Sequence, residues 1–135
     1  AGSAARIADL RHGTLSPDAL DRGLLLLLDE GHCLGDQALE VCGLNRRAAR
    51  LDLGAASLST LCRLAAQGMG LTFLPEIARR QELAAAPGLT AIRFPDPQPS
   101  RQVVLMRRAT TPAQGWFDDL AGVLAATARP LLTCA

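Results

Sequence analysis

The chain has no lysine and no tyrosine, and its aromatic side chains amount to one tryptophan and three phenylalanines. All 14 of its basic residues are therefore arginines, set against 13 acidic residues for a net charge of +1. Phosphate binding needs a clustered basic surface, so a balance this close to neutral excludes a free-standing electrostatic DNA binder. Long hydrophobic runs are also missing. The longest, Leu24–Leu28, falls far short of the roughly 20 apolar residues that span a bilayer. Ala1–Ala5 lack the charged and apolar regions of a secretory signal. The expected setting is a reducing cytoplasm with no membrane partner, where cysteines stay as thiols and any disulfide is transient. No two cysteines have C-x-x-C spacing, and His12 and His32 form no ligand cluster with them. Neither a metal site nor a cofactor is expected.

What is present suits a folded domain. The 135 residues are 49 % apolar, and a chain of this size buries roughly two-thirds of its unfolded surface without disulfide staples. Residues 1–23 carry Gly2, Gly13, Pro17 and Gly23 with little periodicity, and read as a weakly structured leader. Leu24–Leu28, bounded by Gly23 and Asp29-Glu30-Gly31, predicts a strand buried on both faces, as in a parallel sheet. Gly31–Asp36 reads as a loop into a helix over Gln37–Cys42 that stops at Gly43. Leu51–Leu53 suits a short strand.

Ser57 followed by Leu58–Gln67 and Gly68 is the clearest helix, with an N-cap hydroxyl, an apolar face and a terminal glycine. Leu71–Leu74 predicts a strand, Pro75 opens a helix over Glu76–Ala84, and Leu89–Phe94 predicts another strand. Pro95, Pro97 and Pro99 stiffen a connector to a strand-like stretch over Gln102–Arg107. Thr111 caps a last amphipathic helix over Ala113–Ala128, with Trp116 and Phe117 as core or interface residues. The alternation predicts an α/β fold with a mostly parallel sheet and flanking helices.

Four cysteines stand at 33, 42, 62 and 134. Cys33 follows the first buried strand and precedes a helix N-terminus, the sheet edge where open α/β folds place ligands. Free N–H groups and the helix dipole favour an anion there and so a thiolate, which oxidants convert to a sulfenic acid. Cys42 is the candidate resolving partner. Nine residues of helix would hold the two Cα atoms roughly 13 Å apart, whereas a disulfide tolerates about 4.4–6.8 Å. Bridging would therefore force 34–41 to unwind or move, turning oxidation into a conformational change. The alternative is structural: Cys33 a loop thiol and Cys42 a small apolar residue on a helix face. Cys62 shares the apolar face of Leu58 and Leu61 and reads as core, Cys134 as an incidental tail residue, and Arg46, Arg47 and Arg50 as a solvated basic face.

Gly31-His32-Cys33-Leu34-Gly35-Asp36-Gln37-Ala38-Leu39, with Cys42 following, resembles the redox loop of OxyR proteins, the peroxide-sensing branch of the LysR-type transcriptional regulators. Leu24–Glu30 resembles the strand before that loop. Ala56–Leu61 and Gly68–Pro75 resemble the helix and strand that follow, and Pro97–Arg108 the last strand region. The resemblance covers roughly residues 24–128. It implies a periplasmic-binding-protein-like effector subdomain over 24–108 and the returning C-terminal helix of the other subdomain over 109–135. It also implies that Cys33 is the peroxide-reactive thiol, that Cys42 resolves it, and that His32, Asp36, Gln37 and Arg108 surround the pocket. The implied partners are hydrogen peroxide, a thiol reductant such as glutaredoxin or thioredoxin, and further copies in a homo-oligomer. DNA would be bound only through an N-terminal domain that is not recognisable in this chain.

Gly35 departs from the family, which usually has arginine there, so a charge near the thiolate is lost. The expected function is a non-enzymatic peroxide-sensing regulatory domain. A ligand-sensing effector domain, a small thiol peroxidase and an inactive truncated product are the competing readings.

Overall fold

The structure, a computed structural model, describes residues 1–13, 15–29, 32–44, 51–110, 112 and 115–132, with the backbone alone at 51–54. Its elements are β1 (Gly2–Ser3), α1 (Ala4–Arg11), β2 (Leu26–Leu28), α2 (Cys33–Val41), β3 (Leu51–Ala55), α3 (Leu58–Ala66), α4 (Glu76–Ala85), β4 (Leu89–Thr90) and α5 (Trp116–Leu132). Two short 3-10 turns, Pro17–Ala19 and Arg22–Leu24, lead into β2.

The leucine run is the centre of the molecule. Alternation along an extended chain sends successive side chains to opposite faces, and here both faces are covered. Leu26 and Leu28 pack with Leu61, Cys62 and Ala65 of α3, whereas Leu25 and Leu27 pack with Ala38, Leu39 and Cys42. β2 pairs in parallel with β3, placing Leu26 opposite Leu51 and Leu28 opposite Ala55. On its other side Leu25 bridges Leu71 in parallel, through bonds from Leu26 N to Leu71 O (2.8 Å) and Leu71 N to Leu24 O (2.7 Å).

The remaining pairing departs from a mostly parallel sheet. Ala1 and Thr72 exchange main-chain bonds at 2.7 and 2.8 Å, as an antiparallel pair does, and β1 pairs antiparallel with β4. Hydrogen bonds thus link β4, β1, 71–72, β2 and β3 in that order, with β1 running against its neighbours. A strand of two residues has no alternation to betray it in sequence, which is why residues 1–23 looked weakly structured. They also form α1, capped by Ser3, with Ile7 buried at 2 % exposure. Gln102–Arg107, expected as strand-like, lies exposed and outside any strand.

α3 forms as its sequence dictates: Ser57 Oγ accepts from Thr60 N at 3.2 Å, and Gly68 turns the chain out at φ 80°. α4 follows Pro75, and Ser59 of α3 donates to the buried Glu82 of α4 at 2.8 Å. α5 lies beyond the core with no buried residue, and Trp116, Leu120 and Leu124 stay partly exposed. The cap expected at Thr111 lies outside the described residues, as do the Arg46, Arg47 and Arg50 cluster and Cys134.

Gly70 marks the closest backbone approach to the central strand. A Cβ there would collide with the Leu24 carbonyl and come within 2.8 Å of Leu26 Cγ. Gly70→Ala should therefore cost about 1–3 kcal/mol by overpacking, read as a lower urea midpoint at unchanged slope. Cys62 supplies a second measurement. Its side chain is completely enclosed, and burial, aided by the charge of Glu82, pushes its thiol up from 9.0 to about 11. The unfolded chain ionises this thiol near 9.0 and the folded chain only near 11, so its contribution is intact below 9.0 and is lost as pH climbs toward 11. Thermal melts across that window should show falling Tm, and Cys62→Ala should flatten the fall.

Candidate functional site

The candidate site is built around α2. His32 is its N-cap, extended at φ −90° and ψ 111° and without a side-chain capping bond, so Cys33 is the first helical residue. The helix begins four residues before Gln37, the start expected after a loop over Gly31–Asp36. Asp36 in the first turn complements the positive end of the dipole. Gly35, within the expected loop, is instead buried in the helix, beside Leu27, Ala38 and Phe73. Buried Gly35, Ala38, Leu39 and Cys42 recur at the helical period and define the inward face, while Cys33, Asp36 and Glu40 define the outward one.

The C-terminal end is fully capped. Cys42 is the C-cap and Gly43 takes φ 60°; Gly43 N bonds to Glu40 O at 3.0 Å and Leu44 N to Leu39 O at 2.8 Å. These are the paired bonds of a Schellman motif, and Leu44 supplies the accompanying apolar contact by packing on the Cys42 cluster.

The two thiols therefore differ in exposure and in the face of the helix they occupy. Cys33 is free and exposed; Cys42 is free and buried. About 100° of rotation per residue turns nine steps into two and a half turns, so the two side chains leave the helix on opposite sides. Burial pushes the Cys42 thiol up, and Asp18 adds to this while Arg22 opposes it. Both charges come from the turns ahead of β2, so the leader shapes the environment of Cys42.

Of the other expected pocket residues, His32 and Asp36 are exposed beside Cys33 and Gln37 is half-buried. Arg108 is exposed in the 101–108 segment. The arginine hydrogen-bonded to α2 is Arg101, whose Nη1 donates to Gln37 Oε1 at 2.6 Å. The two residues are 64 apart in sequence, and no spacing rule links them; Arg101's place just after a proline-stiffened connector was the one available signal. Gln37 and Arg101 help to line an open cleft of about 1490 Å³, together with Leu34, Phe73, Phe94 and Arg93. Phe73 and Phe94 stack at 5.8 Å, and Arg93 forms a two-point pair with Glu76 at 2.7 and 3.1 Å. That pairing holds the Glu76 carboxyl below its ordinary range. Among the described residues, no group of His, Cys, Asp or Glu is placed to hold a metal ion, and no helix is long and apolar enough to cross a membrane.

Comparison with known proteins places this sequence in a family. Residues 3–128 match the LysR substrate binding domain. A probable hydrogen peroxide-inducible genes activator of Streptomyces viridosporus is 37 % identical over 93 % of this chain and 42 % of its own length. The HTH-type transcriptional regulator EstR of Acinetobacter baylyi is 38 % identical over 81 % of this chain and 36 % of its own. The DNA-binding transcriptional dual regulator OxyR of Escherichia coli is 33 % identical over 76 % of this chain and 33 % of its own. The chain thus spans about two-fifths or less of these curated relatives. No solved structure gives a significant match. The chain belongs to the LysR substrate binding domain family, and its sequence is of the OxyR type within that family.

Proposed function

We propose that this chain is the peroxide-sensing part of an OxyR-like transcriptional regulator, switched by a reversible disulfide between Cys33 and Cys42. One observation carries the reading: an exposed thiol opens α2, a buried thiol closes it, and nine residues of intact helix keep them apart.

The chemistry follows from that arrangement. The Cys33 thiolate attacks one peroxide oxygen; the O–O bond breaks, hydroxide leaves and is protonated to water, and Cys33 becomes a sulfenic acid. The Cys42 thiolate then attacks Cys33 Sγ, the S–O bond breaks, a second water leaves and the disulfide forms. Two electrons pass from the two sulfurs to the peroxide. The raised Cys42 thiol is a poor nucleophile while buried, so α2 must loosen before the second step. A dithiol reductant of the glutaredoxin or thioredoxin class would reverse the bridge.

In this reading residues 24–108 are the sensing subdomain, of periplasmic-binding-protein-like design, and 109–135 the returning helix of the other subdomain. DNA binding and assembly into a homo-oligomer belong to the whole regulator. His32, Asp36 and Gln37 support the Cys33 site, and Arg108 is placed there by the family resemblance alone. The cleft beside Arg93, Arg101 and the two stacked phenylalanines favours a second reading, an effector domain that senses a small organic ligand.

The test is disulfide mapping after equimolar hydrogen peroxide. Folding is first checked by circular dichroism, and free thiols are then alkylated for mass spectrometry. A Cys33–Cys42 bridge is expected, with loss of helical signal. Cys33→Ser should abolish peroxide consumption, and Cys42→Ser should stop at a sulfenic acid that dimedone traps. In the reduced protein Cys33 should alkylate far faster than Cys42 or Cys62. Recovery of Cys33 and Cys42 both alkylated after peroxide would overturn the reading, and sustained turnover with a reductant would mark a peroxidase instead.

A further inference from the structure

We propose that Arg101 is a latch that ties the 98–108 segment, and through it α5, to the folded state of α2. This rests on the sensor reading above and names how its conformational change would leave the site.

Gln37 is placed for the task. It lies inside the stretch between Cys33 and Cys42 that must leave helical form for the two sulfurs to meet. Its Oε1 is held by Arg101 Nη1 at 2.6 Å, a charge-assisted bond of the stronger kind. Once the backbone at Gln37 moves, that geometry is lost.

The chain around Arg101 is arranged to pass the loss on. Pro95, Pro97 and Pro99 precede it and restrict its backbone, so slack is scarce on that side. On the other side residues 101–110 are exposed, with Val103 at 80 % and Met106 at 82 %, and no core burial anchors them. The segment's far end meets α5, where the Arg107 guanidinium carbon sits 5.3 Å from the centre of the Phe117 ring. Phe117 in turn meets Trp116 edge-on at 5.7 Å. α5 contributes no buried residue to the core and packs against α4, and the Arg107–Phe117 contact adds a tie between it and the exposed segment. A chemical event at α2 thus reaches a helix at the opposite end of the sequence through two arginines.

Trp116 is the only tryptophan in the chain, which makes the inference measurable in the whole protein. In the reduced state, Arg101→Ala and Gln37→Leu should each speed chymotryptic cleavage after Leu105 and Met106 about fivefold, by freeing the exposed segment to fit a protease. The double variant should be cleaved no faster than either, because both remove one bond, and Arg101→Lys should restore part of the protection. Additive effects, or no effect of either single change, would overturn the latch.

In wild-type protein, forming the mapped Cys33–Cys42 bridge should raise that cleavage by the same factor and shift Trp116 emission. In Arg101→Ala the bridge should still form with neither readout moving further. A bridge that leaves that cleavage and Trp116 emission unchanged would overturn the latch and leave the sensor reading standing. Failure of any bridge to form would overturn the sensor reading, and the reduced-protein comparison would then decide the Gln37–Arg101 tie alone.

Discussion

Everything in this molecule leans on one strand with two buried faces. Leu25 and Leu27 on one side and Leu26 and Leu28 on the other are each at most 6 % exposed. Burying a leucine contributes about 1.5–3 kcal/mol before the entropy of ordering is counted, and here the same few residues anchor two layers at once. α3 is set by one face and α2 by the other, so the position of Cys42 is as firmly defined as the core itself. The demand for tight approach explains Gly70, where the neighbouring chain passes too close to β2 for any side chain.

That anchoring gives α2 its chemical meaning. A helix is a ruler with a fixed rise and a fixed rotation, and a nine-residue interval uses both against a disulfide: the sulfurs are too far apart and face opposite ways. The folded helix therefore protects the reduced state by geometry as well as by chemistry, since the burial that packs Cys42 against Leu25 and Leu27 also raises its thiol. Arg22 works against that rise and Asp18 with it, so the turns ahead of β2 tune the buried thiol of α2.

Much of this was legible from residues alone, and for identifiable reasons. The β2 strand followed from an unbroken apolar run between turn residues, and α3 from Ser57, its apolar face and Gly68, each of which acts locally. Gly43 likewise sits where its left-handed conformation is needed. What escaped depended on partners distant in sequence. β1 is a strand because Thr90 and Leu89 lie opposite it, and Gln102–Arg107 is not one because strand-like composition cannot supply a neighbouring edge. The start of α2 is hidden in sequence because the loop reading spans Gly31–Asp36, whereas Gly35 is buried inside the helix, beside residues far from it in the chain. Arg101 rather than Arg108 hydrogen-bonds α2, although both are exposed; a resemblance aligns residues but does not settle which of two nearby arginines the local backbone brings to a neighbour.

The two ends of α2 are unequal, and this gives the helix a direction of failure. Its C-terminal turn is closed by both Schellman bonds, a left-handed glycine and the packing of Leu44, while its N-cap His32 offers no side-chain bond to the first turn. Fraying therefore starts at the Cys33 end and travels toward Cys42, with the last turn acting as a fixed post. In the proposed switch the mobile sulfur would be the exposed one and the stationary sulfur the buried one, so the search that joins them would be a swing of a short tether about an anchored base and not a mutual collapse of two loose ends.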